Sequence, residues 1–331
     1  MLSAMRALPA ALLLAAILAA PASRADLLVL RYGQSFSAEQ TIYALPVHIA
    51  QRQGFFTREG LEFRQFFIPG GGDKMIDALH DDTVELTHVA TAFLIESALK
   101  GSDAVAIATE FNNPIYSLVA KPEIRAYADL KDRLVGLADE AGTITLSIRR
   151  LLAANGLAGD GYRVRVISGT PARVGCLKRG DCVAVPLGQP QDITAAREGY
   201  RILGRSDEAT PAYVYTVTAA RRSWAAAHPD LVTRYVRALA SAFAFIRDES
   251  NLASVIGVVM DDTRCSDADA RDTLRLYLNP ERNVLPTRGE IDRDAFARTI
   301  ALMGDGGQLT PPLPPVELFV DAQYLRAAGV E

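Results

Sequence analysis

The sequence predicts an α/β fold of two units, each with a mostly parallel sheet flanked by helices, and three observations indicate it. From Leu27 onward, short apolar runs alternate with amphipathic stretches, which is typical of strand-helix repeats. The alternation restarts after Lys121-Pro122. A chain of 331 residues with 49% hydrophobic content is long enough for two ordinary domains, each with its own core.

The first predicted unit contains five apolar runs, with amphipathic segments between the first four. The predicted strands are residues 27–32, 61–68, 84–89, 104–109 and 115–120. The predicted helices are residues 42–53, 74–80 and 93–100. Glycines at 54, 60 and 101 lie where helix ends and turns favour a positive φ.

The second predicted unit repeats this rhythm on a smaller scale. Its strands are residues 133–138, 162–167, 182–185 and 200–203, and its helices are residues 145–154, 171–178 and 192–198. A strand at 213–217 then returns to the first unit. Helices follow at residues 231–246, 252–260, 267–278, 293–303 and 316–327, and the first of these carries a one-sided apolar stripe that predicts burial.

We therefore expect residues 26–120 plus 213–331 to form a discontinuous lobe 1, and residues 121–212 to form an inserted lobe 2. An insertion requires the chain to cross between lobes twice, near residues 120–125 and 208–213, and two crossings make a hinge. Because open α/β sheets bind ligands beyond the carboxyl ends of their strands, two facing sheets predict a ligand cleft between them.

Residues 1–25 have the pattern of a secretory signal peptide. Arg6 precedes an apolar run from Ala10 to Ala20, and Ser23-Arg24-Ala25 resembles a cleavage site. This run is too short to span the roughly 30 Å core of a bilayer. No cysteine follows it at the position of a lipid-attachment site. We expect a protein exported by the Sec pathway, cleaved, unlipidated and periplasmic.

The charge balance argues against polyanionic partners. Without residues 1–25 the chain has 33 basic and 39 acidic side chains, a net charge of −6. No basic stripe is present to bind a nucleic-acid backbone or an anionic membrane. We expect a small-molecule ligand, no nucleic acid, and a monomeric protein.

The three cysteines leave the redox state open. Cys176 and Cys182 are close in sequence, and an oxidised pair would close a short loop, whereas two separate buried thiols are an equally good interpretation. We expect Cys265 to be a small buried hydrophobic residue.

Motifs for catalysis, metals and cofactors are not found in the sequence. The four histidines, His48, His80, His88 and His228, have no metal-binding spacing, and there is no G-x-S-x-G nucleophile elbow. Gly70-Gly71-Gly72-Asp73-Lys74 lacks the order of a phosphate-binding P-loop. We expect no metal, no cofactor and no catalytic residue.

Loops after predicted strands supply the candidate ligand-binding residues. The first strand leads to Ser35 and Phe36, and the ring of Phe36 could stack on a planar ligand or be buried. Gly70 and Gly71 precede a helix, where bare backbone N–H groups could meet a ligand or form a plain turn. Thr91 begins the next helix and could cap it or face the ligand.

Lobe 2 contributes the loop that we favour most, residues 139–145. Gly142, Thr143 and Thr145 offer hydroxyls and free N–H groups suited to a carboxylate, sulfonate or phosphate. The alternative is that Thr143 only caps the helix. Asn113 and Gln189 could add amide donors and acceptors, or could be turn residues.

Several segments in this order resemble a known family. They include Pro46 to Phe56 (PVHIAQRQGFF), Glu59-Gly60-Leu61-Glu62, the triple glycine at 70–72, Gly142-Thr143 before Leu151-Leu152, and His228-Pro229-Asp230-Leu231-Val232. The chain is similar over nearly all of its mature length to the periplasmic substrate-binding proteins of ABC transporters called SsuA/THI5-like or NMT1-like. The resemblance implies a type II periplasmic-binding fold that closes on one ligand and delivers it to the transmembrane subunits of an inner-membrane ABC permease.

The expected function is therefore an exported solute-binding receptor, and not an enzyme. Its expected ligand is a small polar or anionic organic molecule, such as a sulfonate, a carboxylate or a pyrimidine-like compound. Two alternatives remain open: a pyrimidine-synthase-like enzyme of the same fold, and a ligand-sensing partner of a periplasmic regulator.

Overall fold

The computed structural model describes residues 27–35, 41–140, 142–210 and 212–330, so residues 1–25, interpreted as a signal peptide, lie outside it. The first sheet has the strand order β2-β1-β3-β10-β4. Its strands are β1 (Leu28–Ser35), β2 (Leu61–Ile68), β3 (Leu86–Ala90), β4 (Ala104–Phe111) and β10 (Thr216–Arg221). We call this sheet and the helices packed on it lobe 1.

The second sheet forms lobe 2 and has the order β7-β6-β8-β5-β9. Its strands are β5 (Ser117–Ala120), β6 (Leu134–Leu137), β7 (Arg163–Val166), β8 (Ala184–Leu187) and β9 (Arg201–Arg205). Four of the five strands of each sheet share one direction, which confirms the predicted α/β class with mostly parallel sheets.

In each sheet, the strand that runs against its neighbours is the one that follows a crossing of the chain from the other sheet. β5 pairs antiparallel with β8 and β9, and β10 pairs antiparallel with β3 and β4. Both strands begin next to the other lobe and run away from it. The remaining strands of each sheet therefore point their carboxyl ends at the space between the lobes, where ligands bind in such sheets.

The pairing of β5 differs from the assignment of residues 115–120 to the first unit. The sequence assigned residues 115–120 to the first unit because they follow β4 closely, but β5 forms its hydrogen bonds in the second sheet. Strand pairing is a long-range property that the apolar pattern of a strand does not encode. We propose that the lobe boundary lies before β5, and the rest of the division into lobes stays a prediction.

Helices cover both sheets. Lobe 1 contains α1 (Leu45–Arg52), α2 (Phe55–Arg58), α3 (Gly72–His80) and α4 (Thr91–Leu99), and lobe 2 contains α5 (Thr143–Ala154), α6 (Thr170–Arg179) and α7 (Gln191–Arg197). After β10 follow α8 (Arg222–Ala227), α9 (Pro229–Arg247), α10 (Leu252–Thr263), α11 (Asp267–Tyr277), α12 (Arg293–Asp305) and α13 (Gln323–Ala327). None of these described helices is long and apolar enough to cross a bilayer.

The predicted helix at 316–327 is interrupted. Residues Val316–Leu318 form a 3-10 turn, after which Val320 makes a parallel bridge to Ala106 of β4. The N–H of Ala106 donates to the carbonyl of Phe319 at 2.8 Å, and the N–H of Asp321 donates to the carbonyl of Ala106 at 2.9 Å. The segment leaves the helical conformation because it covers the free edge of the first sheet.

α9 buries its predicted stripe, and Tyr235 anchors it in the core of lobe 1. The ring of Phe56 stacks on that of Phe63 at a centroid distance of 4.0 Å, and Tyr32 packs against both Phe63 and Tyr235. These buried aromatic rings hold α2, α9 and strands β1 and β2 together.

A disulfide links Cys176 at the end of α6 to Cys182 before β8, with a Cα–Cα distance of 5.4 Å. This selects the oxidised pair from the two interpretations that the sequence left open. Cys265 is free and only half-buried, packed at the edge of the core of lobe 1, in contrast to the full burial expected.

Removing this bridge should destabilise the protein. We expect the double variant Cys176→Ala, Cys182→Ala to lose about 2 kcal/mol of unfolding free energy, because the unfolded chain is no longer constrained. Urea denaturation of the oxidised protein measures this loss. Cys265→Ala is the matched control and should change stability much less. An equal loss in both variants would contradict the assignment.

Gly72 makes a close approach at the start of α3. A Cβ built on it would lie 2.8 Å from Cβ of Phe93, an atom that cannot rotate away, whereas a Cβ on the neighbouring Gly71 would meet only the movable carboxylate of Asp73 at 3.0 Å. Glycine is required at 72 because α3 and α4 touch there.

We expect Gly72→Ala to lower the unfolding free energy by about 1–3 kcal/mol through overpacking. Alanine normally stabilises a helix relative to glycine, so the sign of the change is informative. Gly71→Ala serves as control and should have a smaller effect in the same urea titration. If Gly72→Ala instead raised the unfolding free energy, the contact between the new Cβ and Phe93 would not be destabilising, and the prediction would be wrong.

Candidate ligand-binding site between the lobes

A cavity of about 500 Å³ lies between the carboxyl ends of the two sheets. Lobe 1 contributes the ends of β1, β2 and β3, and lobe 2 contributes the segments that follow β6 and β7. The tyrosines at positions 116 and 215 complete the wall from the two crossing segments. We call this space the interlobe cavity; its polar and charged lining side chains include Ser35, Thr41, Tyr43, Asp73, His88, Tyr116, Asp139, Ser168, Thr170, Arg173, Tyr215 and Thr216.

A second concavity of about 350 Å³ lies between α5 and α12, with the ion pair between Arg150 and Asp305 at 2.5 Å on its wall. It is formed by the sides of helices and not by strand ends. The interlobe cavity is the better candidate site because backbone and side-chain donors from both lobes converge there.

Arg173 is the positively charged side chain that lobe 2 contributes to the wall of the interlobe cavity. Its side chain lies in the first turns of α6 and is only 3% exposed. The guanidinium donates to the carbonyls of Pro186 at 2.8 Å and Ile167 at 3.2 Å, and to the hydroxyl of Thr170 at 3.1 Å. Burial lowers its pKa from the usual value, although an arginine remains charged in proteins.

All three acceptors of Arg173 are neutral, and it forms no ion pair with a described carboxylate. The sequence interpretation missed this residue. The sequence does show an arginine near the start of a predicted helix that follows a predicted strand. Many arginines at such positions are solvent-exposed, so the position alone does not predict a buried arginine in a binding site.

His88 is the histidine that lobe 1 contributes to the cavity wall. Its Nδ1 lies 2.7 Å from Oε2 of Glu110, a carboxylate that is fully buried in the first sheet. Glu110 also accepts hydrogen bonds from the hydroxyls of Tyr32 and Thr218. Within the described parts of the chain, no group of three His, Cys, Asp or Glu side chains is arranged to hold a metal ion.

Three tyrosine rings form one apolar part of the wall. The ring of Tyr43 lies 5.5 Å from that of Tyr215 and 6.0 Å from that of Tyr116, and the hydroxyls of Tyr116 and Tyr215 are 3.2 Å apart. Burial raises the pKa of all three hydroxyls, so they remain neutral donors. They surround the cavity with flat apolar surfaces that end in polar atoms.

Of the residues predicted in lobe 1, Ser35, Gly70 and Gly71 lie in the cavity wall. The hydroxyl of Ser35 donates to the carbonyl of Gly70 at 3.3 Å, which joins the ends of β1 and β2. Phe36 lies outside the described residues.

The loop at residues 139–145, which the sequence analysis favoured as a binding loop, lines the cavity with residues other than the expected ones. Asp139 and Ile144 line the cavity, whereas Gly142, Thr143 and Thr145 do not. The N–H of Gly142 donates to Oδ1 of Asp139 at 2.6 Å, and the hydroxyl of Thr145 donates to the carbonyl of Asp139 at 3.0 Å. These contacts hold the Asp139 carboxylate at the start of α5.

Thr143 does not cap α5, contrary to the alternative drawn from the sequence. The N-cap residue is Gly142, and Thr143 is the first residue inside the helix. Its hydroxyl is buried and makes no hydrogen bond with any described residue.

The other predicted residues make contacts within the protein, outside the cavity wall. The hydroxyl of Thr91 donates to the carbonyl of Tyr215 at 3.1 Å, and the amide of Asn113 donates to the carbonyl of Arg282 at 3.3 Å. The amide of Gln189 donates to Asp192 at 2.7 Å and accepts from the hydroxyl of Tyr277 at 3.1 Å. Asn113 and Gln189 thereby join lobe 2 and the crossing segment to the C-terminal helices.

Solved structures with the same fold are numerous. The periplasmic nitrate-binding protein NrtA from Synechocystis PCC 6803 has a TM-score of 0.74 at 14% identity, covering 92% of this chain and 89% of NrtA. The alkanesulfonate-binding protein SsuA from Xanthomonas axonopodis pv. citri, bound to MOPS, has a TM-score of 0.67 at 16% identity, covering 89% and 99%. The desulfurization enzyme DszB has a TM-score of 0.65 at 16% identity, covering 91% and 98%.

No curated protein sequence matches the chain. The family profile described as NMT1/THI5 like matches residues 41–251, which is more than half of the chain and includes every described strand except β1 and every lining residue of the interlobe cavity except Ser35. The protein therefore belongs to the NMT1/THI5-like family.

Proposed function

We propose that the protein is an exported receptor that binds a small organic anion in the interlobe cavity and delivers it to an inner-membrane ABC permease. The observation that carries this proposal is the buried guanidinium of Arg173, which lines the cavity and has no carboxylate partner among the residues that the structure describes.

A buried charge is costly unless it is paired and hydrogen-bonded. Arg173 has neutral acceptors that orient it, but no anionic side chain in the described part of the chain lies at contact distance from it. An anionic ligand group would supply that charge. The free energy gained by pairing would then belong to the complex and not to the empty protein, as a receptor requires.

The rest of the cavity fits the body of such a ligand. A volume of about 500 Å³ is in the range of small-molecule sites, and the three tyrosine rings offer apolar faces with polar edges. The wall residues Ser35, Gly70 and Gly71 would add a hydroxyl and backbone groups. A sulfonate, a carboxylate or a pyrimidine-like acid would satisfy both the guanidinium and the rings.

Closure of the lobes on the ligand is the signal that a permease would recognise. Ion pairs already cross between the lobes, from Arg197 of α7 to Asp269 of α11 at 2.6 Å, and from Arg282 to Asp207. A ligand that contacts both lobes favours the closed arrangement by its differential affinity for the two states. The signal-peptide pattern of residues 1–25 and the binding proteins among the similar structures support a periplasmic receptor.

The enzyme alternative has less support. DszB is named as an enzyme and has the same fold, but that similarity concerns the fold alone. Two of the three cysteines of this chain form a disulfide, and Cys265 does not line the interlobe cavity. Incubation of the protein with each ligand and analysis by mass spectrometry would reveal turnover if it occurred.

Replacement of Arg173 should abolish selectivity for anions. We expect wild-type protein to bind members of the set butanesulfonate, benzoate and benzenesulfonate in calorimetry, but not neutral benzyl alcohol or cationic benzylamine. Arg173→Gln should weaken anion binding by about 10- to 100-fold, as for a lost hydrogen bond to a charged group.

Arg179→Gln is the matched control, because Arg179 lies at the other end of α6, is exposed, and pairs with Asp181 at 2.9 Å. Its anion affinity should equal that of wild type. Thermal unfolding checks that both variants fold, and Arg173→Lys retains a positive charge if Arg173→Gln does not fold. Unchanged affinity in a folded Arg173→Gln protein would refute the proposal.

Replacement of Asp139 should change the anion affinity in the opposite direction to replacement of Arg173. Its carboxylate lowers the positive potential around Arg173 without forming an ion pair with it. We expect Asp139→Asn to tighten binding of the same anions by roughly 1 kcal/mol, about fivefold, because the variant loses a negative charge but can still accept the hydrogen bond from Gly142. Weaker binding would instead indicate that the carboxylate contacts the ligand.

A further inference from the structure

His88 and Glu110 form a pair that the proposed function does not yet use. His88 lies on β3, the central strand of lobe 1, and its ring is part of the cavity wall while being only 7% exposed. Glu110 lies on β4, at the far side of β10, with no exposed surface. The pair therefore connects the cavity to the interior of the first sheet.

The neighbours of Glu110 determine which nitrogen of His88 carries the proton. The hydroxyl of Tyr32 donates to Oε1 at 2.8 Å, and that of Thr218 donates to the same oxygen at 2.6 Å. Burial and the nearby carboxylate raise the pKa of Tyr32 well above its usual value, so this hydroxyl remains a donor. A carboxylate surrounded by donors acts as an acceptor, and Nδ1 of His88 must then donate to Oε2.

The other ring nitrogen of His88, Nε2, is then available to a ligand in the cavity. The hydrogen bond that the ring makes to a described residue is through Nδ1, and with the proton on Nδ1 the other nitrogen, Nε2, is a lone-pair acceptor in the neutral ring. When the ring is protonated, Nε2 becomes a charged donor. Histidine is the side chain whose ordinary titration falls between pH 5 and 8.

We propose that His88 is a proton-dependent specificity residue, whose Nε2–H binds the anionic group of the ligand from lobe 1 while Arg173 binds it from lobe 2. This rests on the proposed function. Capture of the anion is then linked to uptake of one proton, and affinity falls as the pH rises, because the neutral ring presents a lone pair to the anion.

Other charged and titratable groups surround the imidazole. On the neighbouring strands and on α9 these are Tyr32, Glu110 and Tyr235. In the cavity wall they are Asp73, Asp139 and Arg173 together with the tyrosines at 43, 116 and 215. The two aspartates make the wall less favourable for an anion, which increases the benefit of a second positive charge beside Arg173.

Butanesulfonate is the appropriate probe, because a sulfonate keeps its charge across the whole pH range. Its dissociation constant is measured by calorimetry at intervals from pH 5.5 to 8.5. We expect the constant to rise with pH by up to about tenfold per pH unit, the slope for one linked proton. Calorimetry in buffers of different ionisation enthalpy should show uptake of up to one proton on binding.

His88→Asn should remove the pH dependence, whereas His80→Asn, the same change at an exposed histidine that contacts Ser102, should retain it. Nitrogen-15 NMR of the ligand-free protein at high pH should show His88 with its proton on Nδ1. A proton on Nε2, binding that is independent of pH, or an unchanged slope in folded His88→Asn would overturn the inference alone. Failure of every anion to bind at every pH would overturn the proposed function as well.

Discussion

The structure depends on one topological constraint: each time the chain crosses from one sheet to the other, the next strand begins at the space between the lobes. β5 begins lobe 2 at that space and β10 re-enters lobe 1 from it, so both run against their neighbours. The parallel strands of both sheets must then end at the same place. A cavity with backbone ends and helix starts from two lobes is a consequence of this arrangement.

The buried charged side chains of the two lobes differ in their partners. In lobe 1, the Glu110 carboxylate is satisfied by three protein groups and contributes to the interior of the sheet. In lobe 2, the Arg173 guanidinium is oriented by two carbonyls and a hydroxyl but has no ionic partner among the described residues. The first arrangement is complete without a ligand and the second is not. This asymmetry, and not the net charge of the chain, is what makes the cavity suited to an anion.

Prediction from sequence succeeded for the fold class and for most elements, because apolar periodicity reports on local geometry and burial. For the site, Ser35, Gly70 and Gly71 lie in the cavity wall since they follow strands whose ends converge, and their contact with a ligand stays a prediction. The sequence interpretation did not include Arg173 or His88. In the favoured loop at 139–145 the sequence emphasised hydroxyls at the helix start, whereas the side chain that lines the cavity there is the Asp139 carboxylate.

The sequence by itself therefore determined the alternation of strands and helices and the buried stripe of α9, since each depends on a short stretch of neighbouring residues. Only the tertiary structure decided that β5 pairs in the second sheet and that Arg173 lies in one cavity with His88. Both facts depend on partners far apart in the chain. A buried charge without a counter-ion is defined by its three-dimensional neighbours, and no local pattern records them.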